Sequence, residues 1–219
     1  DLNYCEAEYY HPHNPNSNER HSLWYYNGKP TWRYAYPPML YPTHSTAFLV
    51  SVTGERLVKV SCIGHRSTEV EHYGPGRNVY ENPFTSGMAM FLTDKGNPFR
   101  CNVSWSIHAS GERAQWLGTE GAMYAAGSGG QPTRMNLPGR TLSTLPTFWE
   151  SLPEPLRHAS GHGNSHTFIT HEFISALLED REPAVDIYEA LAYTVPGIIA
   201  HQSSFKDGEQ LSIPSFDLA

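Results

Sequence analysis

The tetrapeptide Tyr41-Pro42-Thr43-His44 places a phenol and an imidazole within one turn of chain. Proline suits the first position of a helix, because its missing N–H would have had no partner there and its φ is already helical. Pro42 therefore predicts a short, largely buried helix that runs through Ala47, Leu49, Val50 and Val52 and closes at Gly54. His44 would lie in its first turn, where unpaired N–H groups and the helix dipole disfavour an imidazolium. A neutral imidazole can take a proton near pH 7, and with Tyr41 beside it the pair suits proton transfer at a sugar hydroxyl. The competing reading is a packed helix start whose histidine is merely hydrogen-bonded.

A second set of candidates is the spacing His158-x-x-x-His162-x-x-x-His166, followed by His171-Glu172. Histidines four apart on a continuous helix could bind zinc, which would make the chain a metal hydrolase. Gly161 and Gly163 interrupt that helix, however, and Ser175 stands where the zinc motif needs its second histidine. No metal is expected. Either His162, Asn164 and His166 offer donors and acceptors to a ligand, or they cap a helix beginning near Ser165.

A third set is aromatic. Trp24, Tyr25, Trp32 and Arg33 follow a polar stretch, His13 to Arg20, and Tyr9, Tyr10 and His11 end the first apolar segment. Long loops inside compact domains are usually disordered or functional, and the aromatics favour function. Aromatic faces with a planar guanidinium suit a polyhydroxylated ring or a small anion, though packing or a subunit contact would use the same residues. Gly127-Ser128-Gly129-Gly130 lacks the G-x-G-x-x-G order and the strand-to-helix setting of a dinucleotide fingerprint, and is a loop.

Positioning these groups falls to a chain of 219 residues with 39% hydrophobic, 12% aromatic and 17% charged content. Such a chain is rich enough in aromatics to bury a core, and with no linker-like stretch it reads as one domain over residues 1–219. A net charge of −7, with the 15 Lys and Arg scattered, argues against a nucleic-acid or membrane surface. No apolar run approaches the ~18–20 residues of a bilayer span, and Asp1-Leu2-Asn3-Tyr4 does not open a signal peptide, so a cytoplasmic location is expected. Cys5, Cys62 and Cys101 form no C-x-x-C and are expected to be buried, reduced thiols.

The elements follow from periodicity and turn signals. Strands are expected over 4–11, 57–64, 87–93, 99–108, 115–118 and 122–125, joined by short turns and hence antiparallel. Residues 127–164 show no clear period. Ile169, Phe173, Ala176 and Leu177 recur at helical spacing after a cap at Ser165. Asp186 and Glu189 resemble a capping box before a second helix that Pro196 should kink and Gly208 should end, and Leu211 to Pro214 reads as an edge strand. The fold class is α+β: a largely antiparallel open sheet with helices on one face.

His171-Glu172-Phe173-Ile174-Ser175-Ala176-Leu177-Leu178-Glu179-Asp180-Arg181-Glu182-Pro183-Ala184-Val185-Asp186, continued by Ala190, Thr194, Ala200-His201-Gln202-Ser203, Gly208 and Ile213-Pro214, resembles the close of the C-terminal domain of the Gfo/Idh/MocA family. The resemblance extends over essentially the whole chain. It implies NAD(P)-dependent oxidoreductase chemistry on a sugar, an open sheet face used for homo-oligomers, and a helix whose histidine, here His44, is the acid/base group. The family's aspartate four residues earlier is Leu40 in this sequence. With that departure, Tyr-x-Thr-His is similar to the branch that holds NAD-dependent glycosidases of the α-N-acetylgalactosaminidase type. There Tyr41 and His44 would serve the acid/base steps, and Tyr9 or Tyr10 would line the site.

The resemblance also implies an N-terminal Rossmann domain with a Gly-rich phosphate loop and a Glu-Lys-Pro segment, and neither motif occurs in the sequence. NAD or NADP is accordingly expected to be held by a domain in cis or in a partner chain, and the helices that meet that domain should show an apolar patch. Two functions are carried forward. One is the substrate-binding and catalytic half of a sugar or glycoside oxidoreductase, with His44 and Tyr41 catalytic and Tyr9, His11, Arg33, His162, Asn164 and His166 on the sugar. The other is a sugar-binding or oligomerisation module without catalysis.

Overall fold

The computed structural model describes residues 1–219 except 13–23, 67–70, 128–129, 145–147, 163 and 217–219. The polar stretch from His13 to Arg20, together with Ser128, Gly129 and Gly163, lies outside the described residues.

Nine strands form one sheet. In chain order they are β1 (Leu2–Tyr10), β4 (Leu57–Arg66), β5 (Phe84–Thr93), β6 (Pro98–Ser104), β7 (Gly111–Gly118), β8 (Ala122–Tyr124), β9 (Arg134–Leu137), β10 (Arg140–Leu142) and β11 (Leu211–Ser212). A separate two-stranded ribbon joins β2 (Tyr25–Tyr26) to β3 (Lys29–Pro30). The sheet order is β10-β9-β8-β7-β1-β6-β5-β4-β11. All neighbours are antiparallel except β1 with β6. The class is the α+β arrangement the sequence predicts.

Strand alternation divides β1 between two environments. Cys5, Ala7 and Tyr9 turn to the helical side, while Tyr4, Glu6, Glu8 and Tyr10 turn to the open face. Three helices complete the fold: α1 (Thr43–Thr53), α2 (Ser165–Leu178) and α3 (Ile187–Ser204). α1 packs on β1, β6 and β7, and α3 on β4, β5 and β11. Between them and the sheet lie Met39, Leu49, Val60, Phe91, Phe99, Val103 and Ala200. Burying such side chains contributes roughly 1.5–3 kcal/mol each relative to exposure. Cys5, Cys62 and Cys101 are free and buried, and burial raises all three thiols, Cys62 and Cys101 to about 12.

The open face holds ionised groups in a network of charge-assisted bonds. Arg113 donates to Glu8 at 2.8 Å and to Glu6 at 3.3 Å, Arg100 meets Glu6 at 2.5 Å, and Gln115 donates to Glu6 at 2.6 Å. Tyr4 and Tyr10 donate to Glu6 and Glu8 at 2.6 and 2.8 Å. These partners explain how two glutamates remain buried on a central strand.

Several boundaries differ from expectation for local reasons. β6 ends at Ser104 because the chain turns away through Trp105, whose N–H donates to Thr85. β7 begins at Gly111, four residues earlier than the alternation suggested. The hairpin of β9 and β10, turning at Gly139 with φ 74°, occupies part of the stretch in which no period was legible. Pro42 sits just before α1 as its cap rather than as its first residue, and Gly54 closes the helix with φ 70°. Asn164, not Ser165, precedes α2, with φ 78°. Asp186 accepts from the Glu189 N–H at 2.8 Å, whereas the Glu189 carboxylate turns to Arg56 at 2.9 Å and Tyr193 at 2.7 Å, so only half of the capping box forms. α2 leaves Ile169, Phe173, Ile174, Leu177 and Leu178 exposed.

His201 lies on α3 with its ring 4.9 Å from that of Phe205, and burial lowers its pKa from 6.5 to about 4. Its neutral form is favoured in the fold, so its contribution is complete above pH 6.5 and is lost as pH falls toward 4. Urea unfolding at pH 7.5 and pH 4.5 should show the wild type losing about 2 kcal/mol more than His201→Asn. Equal losses would place His201 in a solvated setting.

Candidate functional site

The turn that leads into α1 is tightly specified. Pro37 and Pro38 restrict the chain, and the Leu40 and Tyr41 N–H groups donate to the Pro37 and Pro38 carbonyls at 3.0 and 2.9 Å. The Tyr36 hydroxyl donates to the Leu40 carbonyl at 2.6 Å, and the Trp105 indole donates to the Tyr36 carbonyl at 2.8 Å. The Pro42 carbonyl accepts from Ser45 and Thr46 at 2.8 and 2.9 Å, which starts the helix. Gly197 of α3 lies against the Met39 carbonyl and the Pro42 ring, where an added Cβ would stand 2.7 Å from Pro42 Cβ. Met39 itself fills the space that a side chain at Gly87 would need, its Cγ 2.6 Å from that position.

This turn aims Tyr41 and His44 toward Tyr9. The rings of Tyr9 and His44 stack at 4.2 Å and 10°, and those of Tyr41 and His44 at 5.1 Å and 24°. Trp105 meets Tyr9 and Tyr41 edge-on, each at 5.9 Å. His44 Nδ1 contacts Glu112 Oε1 on β7, which stands opposite Tyr9 in the strand register. Tyr9, Tyr41, His44 and Trp105 form one wall of a cavity of about 340 Å³, a size usual for small-molecule sites. His11, Trp24, Trp32, Arg33, Tyr36 and His162 complete its lining. The Arg33 guanidinium lies 4.6 Å over the Trp32 ring. Burial and the neighbouring Tyr80 and Tyr41 phenols raise the Tyr36 hydroxyl above its usual range, so it stays a donor at neutral pH.

Of the residues singled out in the sequence, Tyr9, His11, Arg33, Tyr41, His44 and His162 meet at this cavity. Tyr10 faces the other side of β1 and donates to Glu8. Asn164 accepts from the Ser160 N–H at 3.0 Å, and His166 lines a neighbouring cleft on α2. The His166 ring nevertheless touches that of His162, with centroids 4.6 Å apart. Gly161 makes room for it, since a Cβ there would lie 2.6 Å from the ring. Glu172 is bound by Arg181 at 2.7 and 2.9 Å and by the Ala184 N–H at 2.8 Å, and these contacts lower its pKa to about 2. Among the described residues no group of three His, Cys, Asp or Glu side chains is placed to hold a metal ion. Sequence reasoning missed Glu112, Trp105 and Tyr36. A strand begun at Gly111 would have put Glu112 on the same face as the buried Ala114.

No protein-family model matches the sequence, and no curated protein matches it. Solved structures do. Levoglucosan dehydrogenase in complex with NADH and levoglucosan superposes with a TM-score of 0.71 at 14% identity, covering 98% of this chain and 59% of that one. UDP-N-acetylglucosamine 3-dehydrogenase from Acidithiobacillus ferrooxidans gives 0.62 at 12% identity, covering 94% and 54%. Aldose-aldose oxidoreductase from Caulobacter crescentus, complexed with glycerol, gives 0.62 at 15% identity, covering 97% and 56%. The likeness is one of fold. These neighbours are a levoglucosan dehydrogenase, a UDP-N-acetylglucosamine 3-dehydrogenase and an aldose-aldose oxidoreductase, and this chain shares the fold of part of each. It spans a little over half the length of the chains it matches.

A nicotinamide dinucleotide needs a cradle for its pyrophosphate, usually a glycine-rich turn between a strand and a helix N-terminus. Among the described residues no strand runs directly into a helix through such a turn. The described residues thus hold no such cradle. What they offer is an aromatic-walled cavity with an imidazole, several phenols and a guanidinium at its surface. No described helix is long and apolar enough to cross a membrane.

Gly197 supplies the test of how the turn is held. An alanine there gains about 1 kcal/mol in helix propensity yet overlaps Met39 and Pro42, a clash of the kind that costs roughly 1–3 kcal/mol. Gly197→Ala is expected to lower the unfolding midpoint in urea, with Gly87→Ala milder because the Met39 side chain can repack. A Gly197→Ala protein more stable than wild type would show that α3 does not constrain the turn.

Proposed function

We propose that this chain is the substrate-binding and catalytic half of an NAD(P)-dependent oxidoreductase acting on a sugar or glycoside. The observation that carries the reading is the stack of Tyr9, His44 and Tyr41 on the wall of an aromatic cavity that also presents Arg33. Aromatic faces suit the apolar C–H surfaces of a sugar ring, and the polar groups fix its hydroxyls. His44 is the acid/base group: it accepts the proton of the hydroxyl at the carbon being oxidised and returns it on reversal. Tyr41 is its partner, orienting that hydroxyl. Tyr9, His11, Arg33 and His162 contact the sugar from the cavity wall, and His166, whose ring touches that of His162, and Asn164 are the further sugar contacts of this reading.

The hydride acceptor is NAD or NADP, which supplies oxidation at a sugar carbon when bound by a Rossmann domain in cis or in a partner chain. The fold shared with sugar oxidoreductases, and a span of 54% to 59% of their chains, support that division of labour. The exposed apolar residues of α2 are of the kind expected where a further domain covers the helical layer. Tyr41 beside His44 favours the branch in which oxidation is coupled to elimination of a glycosidic bond.

The second reading, a sugar-binding or oligomerisation module, is favoured by the open sheet face. Glu6 and Glu8 there are already buried in ion pairs, and Arg100 Nε and Asn102 Oδ1 are buried without a hydrogen-bond partner. Both readings include a homo-oligomer through that face.

Titrating this chain with monosaccharides and glycosides should change its tryptophan fluorescence, because Trp24, Trp32 and Trp105 line the cavity. In the longer protein, assayed with NAD or NADP, His44→Ala should lower turnover by about 10²–10⁴-fold. Normal turnover in that variant would remove the assignment. Sugar binding by a dimeric chain, with no activity in any longer protein, would leave the module reading.

A further inference from the structure

We propose that Glu112 is the positioning residue of His44: from the neighbouring strand it fixes the imidazole as the Nδ1–H tautomer. The inference rests on the reading of His44 as the proton-transferring group, but its test reads the ring itself.

His44 stands in the first turn of α1, which has no acidic residue there. Left to the helix, its ring would face unpaired N–H groups that oppose protonation. The charge that opposes this comes from the sheet. Glu112 Oε1 contacts Nδ1, and one ring nitrogen engaged by a carboxylate leaves the other, Nε2, with the lone pair for a substrate proton. When the substrate O–H bond breaks and the Nε2–H bond forms, the resulting imidazolium lies against the Glu112 carboxylate.

The other groups facing His44 do not replace that charge. Tyr9 from β1 stacks on one face of the ring, and Tyr41 from the preceding turn stacks within 5.1 Å. Trp105 carries no charge. Arg33, His11 and His162 lie on the cavity wall, and a cation among them opposes the imidazolium rather than stabilising it. Glu112 also owes its direction to the sheet: Arg113 and Gln115 on the same strand point to the open face.

The experiment is a pH titration of the ¹⁵N-histidine-labelled chain followed by long-range ¹H–¹⁵N correlation spectra, with the His44 signals assigned from their loss in His44→Asn. The wild type is expected to carry its neutral-state proton on Nδ1 of His44. In Glu112→Gln, which keeps the size but whose amide can donate as well as accept, the neutral-state proton of His44 should be shared between Nδ1 and Nε2. Glu112→Asp should restore the Nδ1–H form in part. A wild-type His44 protonated on Nε2 overturns the proposal without any variant, and so does an unchanged tautomer in folded Glu112→Gln. If the tautomer behaves as expected while His44→Asn leaves sugar binding and turnover intact, the pairing stands and the acid/base reading of His44 fails.

Discussion

The close approach of α3 to the turn before α1 is the contact on which the site depends. At Gly197 two backbones meet without a side chain between them, and at Gly87 the sheet leaves a space that Met39 fills. A turn held from both sides has little freedom to rotate, because packed interiors resist displacement of even a methylene. The aromatic carbonyl and hydroxyl bonds of Tyr36 and Trp105 then act on a backbone already in place. Tyr41 and His44 thus inherit their direction from glycines on two other elements, far away in sequence.

β1 joins this site to the remainder of the sheet. As a central strand it is paired along both edges, and its two sets of side chains answer to different demands. Cys5 and Ala7 fill the core beneath α1 and leave Tyr9 at the rim of the cavity, where its ring can stack on His44. Glu6 and Glu8 on the other face are held by arginines from the strands on either side. Removing one partner from such a network would leave a buried charge uncompensated, so β1 is locked laterally by charge and vertically by packing.

Much of this was legible in the sequence where local chemistry decides the outcome. Pro42 and Gly54 bracket α1 within a residue, Asp186 caps α3, and apolar periodicity locates α2. Tyr41 and His44 were singled out because their types and spacing suit proton transfer, and Tyr9 because it ends an aromatic first strand. The Asn27-Gly28 turn between β2 and β3, with φ of 49° and 71°, carried a usable hairpin signal, but the aromatics around it read as a loop. β9 and β10 are short and mostly exposed, so no alternation marks them. Glu112 was beyond reach for a different reason. Its role depends on which strand lies beside β1, and strand order is set by long-range pairing that no local pattern encodes.

That pairing ties the two faces of the sheet to one another. β1 and β7 are in register with Tyr9 opposite Glu112 and Glu8 opposite Arg113, and the irregularity between Leu2 and Tyr4 is confined to the far end. Because side chains alternate, a slip of one residue would exchange every group on β7 between faces. Arg113 would then meet His44, placing a cation against the imidazole, while Glu112 would join Glu6 and Glu8 on the open face as a third carboxylate. Each face taken alone could tolerate other registers at some cost, but the two faces reject the same slip for the same electrostatic reason. The charges that stabilise the open face therefore also select the register that delivers a carboxylate to His44, which is how a helix with no acidic residue in its first turn acquires one for its histidine.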